Sequence, residues 1–323
     1  MHARRRPGAN PVTELGARLR GLVPDDRGAV VTVGTFDGVH RGHWQVLREI
    51  RERAAATDRR SVLVTFDPHP LRIVRPEHAP PLLTTPVEKK EILAESGLDW
   101  AVFLNFTAEL SRYSPERFVE EVLYEGVGAR ELVIGYDHGF GRGRSGDVDT
   151  LREVGDRLGF AVDVVGPVEA DAEPISSTRV RTAVAEGRVA AAARGLGRPY
   201  SIRGVVARGD GRGASIGFPT ANLTGFGSDK LLPASGVYAV RVWMRGRGGR
   251  PGALHLGPRP TFPGAAPTVE VHLLDTDLDL YGERLRVDFI DRIRGVESFG
   301  SVEALVEQMT RDVRKAREIL SPT

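Results

Sequence analysis

VVTVGTFDGVHRGHWQVL, residues 30–47, sets the fold of the first half of the chain. Its apolar run Val30–Val33 predicts a short buried strand, because an unbroken apolar run of this length is typical of a strand covered on both faces. Gly34 and Gly38 then favour a tight turn, since glycine adopts positive φ without strain. After the turn, apolar residues recur at helical spacing, at Val46, Leu47, Ile50 and Ala54. The pattern therefore predicts a strand, a turn and a helix.

Two histidines, His40 and His43, lie at this junction, with Gly42 between them. Residues three apart share one face of a helix, so both imidazoles can point to the same place. That place lies beside the N–H groups at a helix start, which favour phosphate. The spacing H-x-x-H alone also occurs by chance in solvated loops, whereas the longer string G-x-F-D-G-V-H-x-G-H is much more specific.

Composition narrows the possible classes of protein. A chain of 323 residues with 41% hydrophobic residues predicts about two domains with real cores. The 45 basic and 43 acidic residues give a net charge of +2, which argues against a nucleic-acid binder. The absence of cysteine excludes disulfides, thiolate metal sites and cysteine nucleophiles. Neither a signal-peptide pattern nor a membrane-spanning run is present, so we expect a soluble cytoplasmic protein that binds no membrane.

Strand and helix signals alternate along the first half. Helices are predicted to begin at Pro86 and Pro115, each preceded by a capping hydroxyl. Further strands are predicted at Ser61–Phe66, Trp100–Leu104, Glu131–Gly135 and Phe160–Val165. This alternation predicts an α/β domain with a doubly wound, Rossmann-like parallel sheet. The DPHP segment, Asp67–Pro70, follows the second strand at its carboxyl end, where ligands bind in such sheets.

Two later motifs in this half also have the composition of ligand-binding segments. Residues 135–147 contain G-x-G-x-x-G, but these glycines do not follow the strand directly, so we interpret the segment as an arginine-bearing substrate loop. ISSTRVR, Ile175–Arg181, places hydroxyls and arginines at a predicted helix start, which is an arrangement that binds anions. An ordinary helix cap has the same pattern, so this motif alone does not decide between the two.

Strand and glycine signals dominate the second half. Strands are predicted at Tyr200–Ala207, Gly236–Trp243, Thr268–Leu274 and Leu285–Ile290. One helix is predicted at Val302–Leu320, with an apolar face formed by Val302, Leu305, Val306, Met309, Val313, Ala316 and Leu320. The pattern predicts a small antiparallel β-barrel with a closing helix. We place the boundary so that residues 1–198 form the first domain and residues 199–323 the second.

The segment between the first two of these strands is rich in glycine. Its glycines are Gly209, Gly211, Gly213 and Gly217, and the backbone N–H groups of such a loop can surround phosphates. Thr220 and Asn222 follow, two residues apart, so they face the same way on an extended segment and offer oxygens of the kind that Mg²⁺ accepts. For the glycines alone, a flexible turn is an equally good explanation.

The strand TVEVHLL carries a candidate base. Thr268, Glu270 and His272 share one face of this strand, and the apolar residues take the other. The carboxylate of Glu270 could accept a proton from a hydroxyl substrate. A solvated face of an antiparallel sheet would show the same pattern, so the strand alone does not distinguish the two.

In order, these motifs resemble a known family. VGTFDGVHRGH resembles the signature of HxGH nucleotidyltransferases, and with TFDPHP, the 135–147 loop and ISSTRVR it resembles the FAD synthetase (FMN adenylyltransferase) domain of prokaryotic bifunctional riboflavin kinase/FAD synthetases. GFPTANL, LLPASGVYAV, GPRPTF, TVEVHLLD and DLYGERLRV resemble the riboflavin kinase module of the same enzymes. The resemblance implies phosphorylation of riboflavin to FMN and adenylylation of FMN to FAD, both with ATP and Mg²⁺.

The resemblance also implies roles for individual residues in the first domain. His40, His43 and Arg181 would stabilise the charge that develops during transfer. Phe66, Asp67 and Asp137 would lie towards the flavin. The residues implied to contact the nucleotide are Gly34, Phe36, His40, His43, Ser177, Thr178 and Arg181.

In the second domain, Thr220 and Asn222 would hold Mg²⁺ and ATP, and Glu270 would be the catalytic base on the ribityl 5′-hydroxyl, next to the flavin. The implied nucleotide-binding glycines are Gly209, Gly211, Gly213 and Gly217. Two positions depart from the family: His138 stands where an aromatic residue is common, and His255 stands where asparagine is usual.

Other functions would also be compatible with parts of the pattern. One is a kinase whose adenylyltransferase domain has lost activity, which the intact histidines and ISSTRVR argue against. Another is a flavin-sensing regulator without turnover, which the intact Glu270 argues against. We expect the substrates to be small molecules and the chain to be a monomer or a weak homo-oligomer.

Overall fold

The computed structural model of the protein describes residues 27–135, 148–170, 173–209, 212–257, 268–276 and 278–321. These residues form two compact units. The first contains residues within Met1–Pro80 and Pro86–Ile175, and the second contains residues within Pro81–Thr85 and Ser176–Thr323. This division follows contacts within each unit, whereas the boundary at residue 198 concerns function and stays a prediction.

A five-stranded parallel sheet forms the centre of the first unit. Its strands are β1 Ala29–Val33, β2 Arg60–Asp67, β3 Trp100–Asn105, β4 Ala129–Gly135 and β5 Ala161–Val165. They lie in the order β3-β2-β1-β4-β5, and every neighbouring pair is parallel. The predicted doubly wound sheet is confirmed. The chain continues from β1 to β2 and β3 on one side of β1, and then returns to add β4 and β5 on its other side. The strand order therefore reverses at β1, and the ligand crevice of such a sheet opens at the carboxyl end of this strand.

Helices cover both faces of this sheet. They are α1 Arg41–Ala56, α2 Leu71–Val74, α3 Pro86–Ala94, α4 Pro115–Phe118 and α5 Val148–Leu158. A π-helix, Val119–Val127, continues α4. Short 3₁₀ turns follow α2 at Pro76–His78 and β3 at Leu110–Arg112. After β5, the two-residue strands β6 Glu169–Ala170 and β7 Glu173–Pro174 pair with each other.

Alternate residues of β1 belong to two different cores, which explains its unbroken apolar run. Val31 and Val33 pack in the core beneath α4 and α5, whereas Val30 packs in the core beneath α1. The residues of α1 predicted to face inward are all buried, namely Val46, Leu47, Ile50 and Ala54. The junction between β1 and α1 is therefore held from both sides of the sheet.

The second unit contains a closed barrel of six antiparallel strands in the order β10-β11-β12-β9-β8-β13. The strands are β8 Tyr200–Ala207, β9 Ala221–Thr224, β10 Gly236–Met244, β11 Gly248–Gly257, β12 Thr268–Leu273 and β13 Arg284–Arg294. The predicted barrel is confirmed. Its strands β9 and β11 were not predicted, because turn residues dominate their surroundings and only pairing on both sides makes them strands.

In the described part of the second unit, four helices accompany the barrel: α6 Ser177–Ala185, α7 Val189–Leu196, α8 Arg212–Ser215 and α9 Val302–Leu320. Helix α9 has the predicted bounds, and the N–H of Ala304 donates to the Ser301 hydroxyl at 3.2 Å, as expected of an N-cap. Ala316 and Leu320 of α9 pack on the barrel. Val302, which was predicted to lie on the apolar face of α9, is 57% exposed, and the buried residues of α9 lie in its second half. Among the helices in the described ranges, none is long and apolar enough to cross a membrane.

Candidate active sites

The first site lies at the carboxyl ends of β1 and β2, where α1 begins. His40 is the N-cap of α1: its Nδ1 accepts a hydrogen bond from the backbone N–H of His43 at 3.3 Å. In return, Nδ1 of His43 accepts from the backbone N–H of His40 at 3.2 Å. Because both Nδ1 atoms are acceptors, each neutral ring carries its proton on Nε2. The helix cap therefore selects the tautomer in which Nε2–H is the donor of both imidazoles.

Three aromatic rings stack at this helix start. The rings of His40 and His43 lie with centroids 3.7 Å apart, and Phe36 stacks on His43 at 4.4 Å. A Cβ at Gly42 would lie 3.1 Å from the His40 ring, and a Cβ at Gly34 would lie 3.1 Å from the Phe36 ring. Both glycines thus leave the room that the stack needs, which is a structural reason for the glycines of this motif.

The end of β2 supplies the residues predicted to lie towards the flavin. The Phe66 ring packs edge-on against Phe106 at 5.3 Å and belongs to the core on one face of the sheet. Asp67 is the last residue of β2. Asp137 and His138 lie outside the described residues, so the third predicted flavin contact and the aromatic-to-histidine departure have no structural description.

Lys89 of α3 also reaches this edge of the sheet, and the sequence analysis did not select it. Its ammonium donates to backbone and hydroxyl oxygens at the ends of β1 and β2. The composition held a signal: only four of the 45 basic residues are lysine, so a lysine is an unusual choice of cation in this chain.

The ISSTRVR motif begins helix α6 in the second unit. Ser176 is the N-cap, because the N–H of Arg179 donates to its hydroxyl at 3.2 Å. Ser177 and Thr178 occupy the first turn, and Nε of Arg181 donates to the carbonyl of Pro81 at 3.0 Å. The expected cap is therefore present, and the anion-binding role of the motif stays a prediction.

The second site is a polar row across three strands of the barrel. In the strand register, Glu270 of β12 lies opposite Asn222 of β9 on one side and opposite His255 of β11 on the other. Directly opposed residues of antiparallel strands have neighbouring side chains on the same face. Val269 and Val271 are 1% exposed and fill the barrel interior, so the polar row lies on the outer face. The predicted division of the TVEVHLL strand into two faces is confirmed.

Two glycines of the glycine-rich segment lie close to the candidate magnesium ligands. A Cβ at Gly209 would lie 2.1 Å from Nδ2 of Asn222. A Cβ at Gly213 would lie 2.3 Å from the carbonyl oxygen of Phe218 and 3.3 Å from Oγ1 of Thr220. The backbone at Gly209 therefore approaches Asn222 more closely than a residue with a Cβ allows, and the same holds for Gly213 and the carbonyl of Phe218, with Thr220 in tight contact.

The remaining predicted glycines of this segment differ in what they show. Gly217 has φ +86°, which favours glycine, and has no neighbour within 4 Å of an added Cβ. Gly211 lies outside the described residues. The structure thus brings Gly209, Gly213, Thr220 and Asn222 together, with Glu270 beside Asn222.

His272 holds this segment against the barrel, a contact that the sequence analysis missed. Its Nδ1 lies 2.9 Å from the carbonyl oxygen of Pro219, and its ring meets Phe218 edge-on at 5.5 Å. A carbonyl only accepts, so Nδ1 of His272 carries the proton. The spacing Glu-x-His on one strand face was the available signal, since it places His272 on the same side as Glu270.

His255 is uncharged at neutral pH. Burial lowers the pKa of His255, the neighbouring Glu270 acts in the opposite direction, and Arg294 and Asp312 make smaller opposing contributions to this pKa. Arg294 itself pairs with Asp312 of α9 at 2.7 Å, and both side chains are largely buried. A neutral imidazole in this position resembles, in charge, the amide of the asparagine that the family resemblance predicts here.

Comparisons with known proteins cover both units. The FAD synthetase family model matches residues 22–179, and the riboflavin kinase family model matches residues 196–320. The chain is 39% identical over 311 residues to the bifunctional riboflavin kinase/FMN adenylyltransferase of Pseudomonas fluorescens, covering 96% of this chain and 99% of that protein. It is 37% identical to the protein of the same name from Escherichia coli K12, covering 92% and 94% of the two chains.

The solved structures that the chain resembles include a match over most of its length. It is described as a macrolide-efflux protein from Streptococcus pneumoniae, is 32% identical, and superposes with a TM-score of 0.83 over 92% of this chain and 96% of that one. The description belongs to that protein; what the superposition adds is that the arrangement of strands and helices recurs in an experimental structure.

Proposed function

The chain belongs to the family of bifunctional riboflavin kinases/FMN adenylyltransferases, and from this premise we propose which residues carry each of its two reactions. It phosphorylates riboflavin to FMN with ATP. It then transfers the adenylyl group of a second ATP to FMN, which forms FAD and releases pyrophosphate. We assign the residues and the metal ion of each reaction from geometry within one unit where the structure describes the residues, and from the sequence motifs elsewhere.

Adenylyl transfer uses the stacked imidazoles of the first unit. A phosphate oxygen of FMN attacks the α-phosphorus of ATP, a new P–O bond forms, and the bond to pyrophosphate breaks. The FMN phosphate is already anionic, so this step needs positioned positive charge and donors more than a strong base. His40 and His43 supply Nε2–H donors from the helix start, supported by the reciprocal Nδ1 bonds that select this tautomer.

Other contacts of this reaction rest on the motifs. Arg181, Ser177 and Thr178 bind the nucleotide from the start of α6, which is supported by the hydroxyl and guanidinium groups in its first turns. Phe66 and Asp67 bind the flavin at the end of β2. The remaining proposed contacts of this reaction are Gly34 and Phe36 with the nucleotide and Asp137 with the flavin.

Riboflavin phosphorylation uses the polar row of the barrel. Glu270 accepts the proton of the ribityl 5′-hydroxyl, whose oxygen attacks the γ-phosphorus of ATP, and ADP leaves. Gly209, Gly211, Gly213 and Gly217 let the backbone close over the phosphates. The observation that carries this assignment is the strand register that sets Glu270 beside Asn222, whose amide group lies against the backbone of Gly209.

The same place has the donor set of a magnesium site. The hydroxyl of Thr220 and the amide oxygen of Asn222 are neutral hard ligands, of the type that hold Mg²⁺ together with nucleotide phosphates. The bound ion would neutralise phosphate charge. Thr220 and Asn222 would hold it in the kinase module, and the adenylyl transfer would use Mg²⁺ bound with ATP.

A product assay tests the proposal. Purified protein is incubated with riboflavin, ATP and Mg²⁺, and flavins are separated by chromatography over time. We expect FMN first and FAD later, with both lost when EDTA removes the metal. Accumulation of FMN alone would favour a kinase with an inactive first module. Tight flavin binding without any product would favour a flavin-sensing regulator.

The functional boundary, the assembly state and the location belong to the same proposal. A boundary close to residue 198 is supported by the family matches, since the first ends at residue 179 and the second begins at residue 196. The near-neutral charge balance of 45 basic and 43 acidic residues supports an enzyme that acts on small molecules without nucleic acid. We propose further that the protein is a monomer or weak homo-oligomer and acts in the cytoplasm. Light scattering over a range of protein concentrations tests the assembly state.

A further inference from the structure

Lys89 is a buried lysine at the edge of the first site. It lies on α3 and is 7% exposed. Its Nζ donates to the carbonyl of Thr35 at 3.0 Å, to the carbonyl of Phe66 at 3.1 Å and to Oγ1 of Thr65 at 3.3 Å. An ammonium group has three protons, and these three acceptors use all of them. Lys89 in this arrangement is therefore a structural donor, with no proton left over for a phosphate.

The three acceptors belong to two segments that form the site. Thr35 lies in the turn between β1 and α1, directly before Phe36 of the ring stack. Thr65 and Phe66 lie near the end of β2, directly before its last residue, Asp67. The Thr65 hydroxyl also donates to the Thr35 carbonyl at 3.1 Å, so Lys89 and Thr65 together connect the two segments. One side chain thus ties the histidine-bearing turn to the strand end proposed to bind the flavin.

Burying this ammonium has a cost that a simple core residue would avoid. Burial lowers the pKa of Lys89, and the carboxylates of Asp37 and Asp67 oppose that effect. A buried charge is costly unless it is hydrogen-bonded, so a lysine here meets a need that an apolar side chain would not. The need to hold the turn after β1 against the end of β2 through three converging acceptors is a sufficient reason for a lysine.

We infer that Lys89 is a positioning residue for adenylyl transfer, which holds the turn that carries His40 and His43 in register with the carboxyl end of β2. The inference rests on the proposed adenylyl-transfer site in the first unit. Its effect is on the geometry of the donors, so it is expressed in kcat more than in the KM for ATP. A misplacement of reacting groups by about 1 Å can cost roughly 100-fold in rate.

The test compares Lys89→Met with Lys90→Met in the full-length protein. Lys90 is the adjacent lysine, is exposed and lies over the Phe103 ring, so it is a matched control for loss of one positive charge. We expect Lys89→Met to lower kcat for FAD formation from FMN by roughly 10- to 100-fold, with the KM for ATP changed by less than about threefold. Lys90→Met should retain full activity, and riboflavin phosphorylation by both variants should match wild type.

Two further variants separate positioning from stability and from charge. Leu93→Ala removes a buried core residue of the same helix and lowers stability, but we expect it to retain kcat well below its melting temperature. Lys89→Arg retains the charge, but its planar guanidinium cannot meet three converging acceptors, so we expect no rescue. If Lys89→Met does not fold, the same kinetic measurements are made on Lys89→Arg and Thr65→Val and compared with Lys90→Met.

Three results would overturn the inference. The first is a kcat of Lys89→Met equal to that of Lys90→Met. The second is a raised KM for ATP at unchanged kcat, which would make Lys89 a nucleotide ligand. The third is full rescue by Lys89→Arg, which would make its charge sufficient. Because wild type and a His40 variant are assayed alongside, failure of the adenylyl-transfer assignment itself would be seen separately.

Discussion

The two proposed phosphate-binding regions are built in opposite ways. In the first unit, the chemical groups are side chains that also cap their own helix, since His40 and His43 each bond the backbone of the other. In the barrel, the close approach comes from bare backbone at Gly209 and Gly213, and the chemical groups stand on neighbouring strands.

This difference shows in which region the catalytic side chains also stabilise the fold. A change at His40 removes a donor and a helix cap together, whereas a change at Glu270 removes a carboxylate from the outer face of a strand whose pairing does not depend on it. Variants of the two regions should therefore differ in stability even where they agree in lost activity.

The largest effect is expected at Glu270. Glu270→Gln keeps the shape of the side chain but removes the base, so riboflavin phosphorylation should fall by about 10²- to 10⁴-fold. Conversion of FMN to FAD and the melting temperature should stay at wild-type values. Glu283→Gln, at an exposed position before β13, is the control and should retain both activities. Loss of both reactions in Glu270→Gln with the fold intact would contradict separate sites.

Substitution of His40 should separate its two roles. Asparagine is a good N-cap and alanine is not, so His40→Ala should lose about 1 kcal/mol of stability that His40→Asn keeps. Both should lower FAD formation by about 10²- to 10³-fold, the usual effect of removing one donor to developing charge. Thermal unfolding and FAD kinetics measured together decide this, and riboflavin phosphorylation is the internal control. Retained FAD formation in His40→Asn would show that only the cap matters.

Gly209→Ala should disturb the barrel site without replacing a polar side chain. Its Cβ would lie 2.1 Å from Nδ2 of Asn222, so the amide must move. We expect a roughly 10- to 100-fold loss in kcat/KM for riboflavin phosphorylation, because mutating the groups that orient metal ligands usually has an effect of this size. We also expect a higher Mg²⁺ concentration to be needed for half-maximal activity. Gly166→Ala, where an added Cβ meets nothing within 4 Å, is the matched control. An unchanged Mg²⁺ titration would count against Asn222 as a ligand.

The smallest effect is expected for His255→Asn. The pKa of His255 is lowered by burial, so the ring is neutral at pH 7.5 and its replacement by an amide should change kcat by less than about threefold. Because the unfolded chain binds a proton on this ring more readily, wild type should lose stability relative to His255→Asn as the pH falls below about 6.5. Unfolding curves at several pH values check the sign. Greater relative stability of wild type in acid would contradict the lowered pKa.

Local patterns predicted the elements that carry their own signals. Helix α9 begins and ends where Ser301 and the apolar period place it, and β1 and α1 follow from an apolar run, a glycine turn and a 3.6-residue period. Strand β11, GGRPGALHLG, has no such signal: its glycines and proline indicate a turn, and only pairing with β10 and β12 makes it a strand.

Contacts between distant segments account for what the sequence did not reveal at the sites. Lys89 reaches Thr35 across 54 residues, and His272 reaches Pro219 across 53. Spacing along a strand indicated that Glu270 and His272 share a face, but not that Asn222 and His255 flank Glu270, because register is set by the pairing of strands. Residue types and local order were predictable, whereas neighbours across the fold were not.

The most direct measurement follows the two phosphorus labels of ATP into the flavins. Glu270→Gln protein is given riboflavin, FMN, Mg²⁺ and ATP labelled at either the α- or the γ-phosphate, and the flavins are separated by chromatography. The account predicts that the α label enters FAD at the wild-type rate and that the γ label stays out of FMN. Failure of the α label to enter FAD, or entry of the γ label into FMN at the wild-type rate, would contradict two separate sites with Glu270 as the base of one.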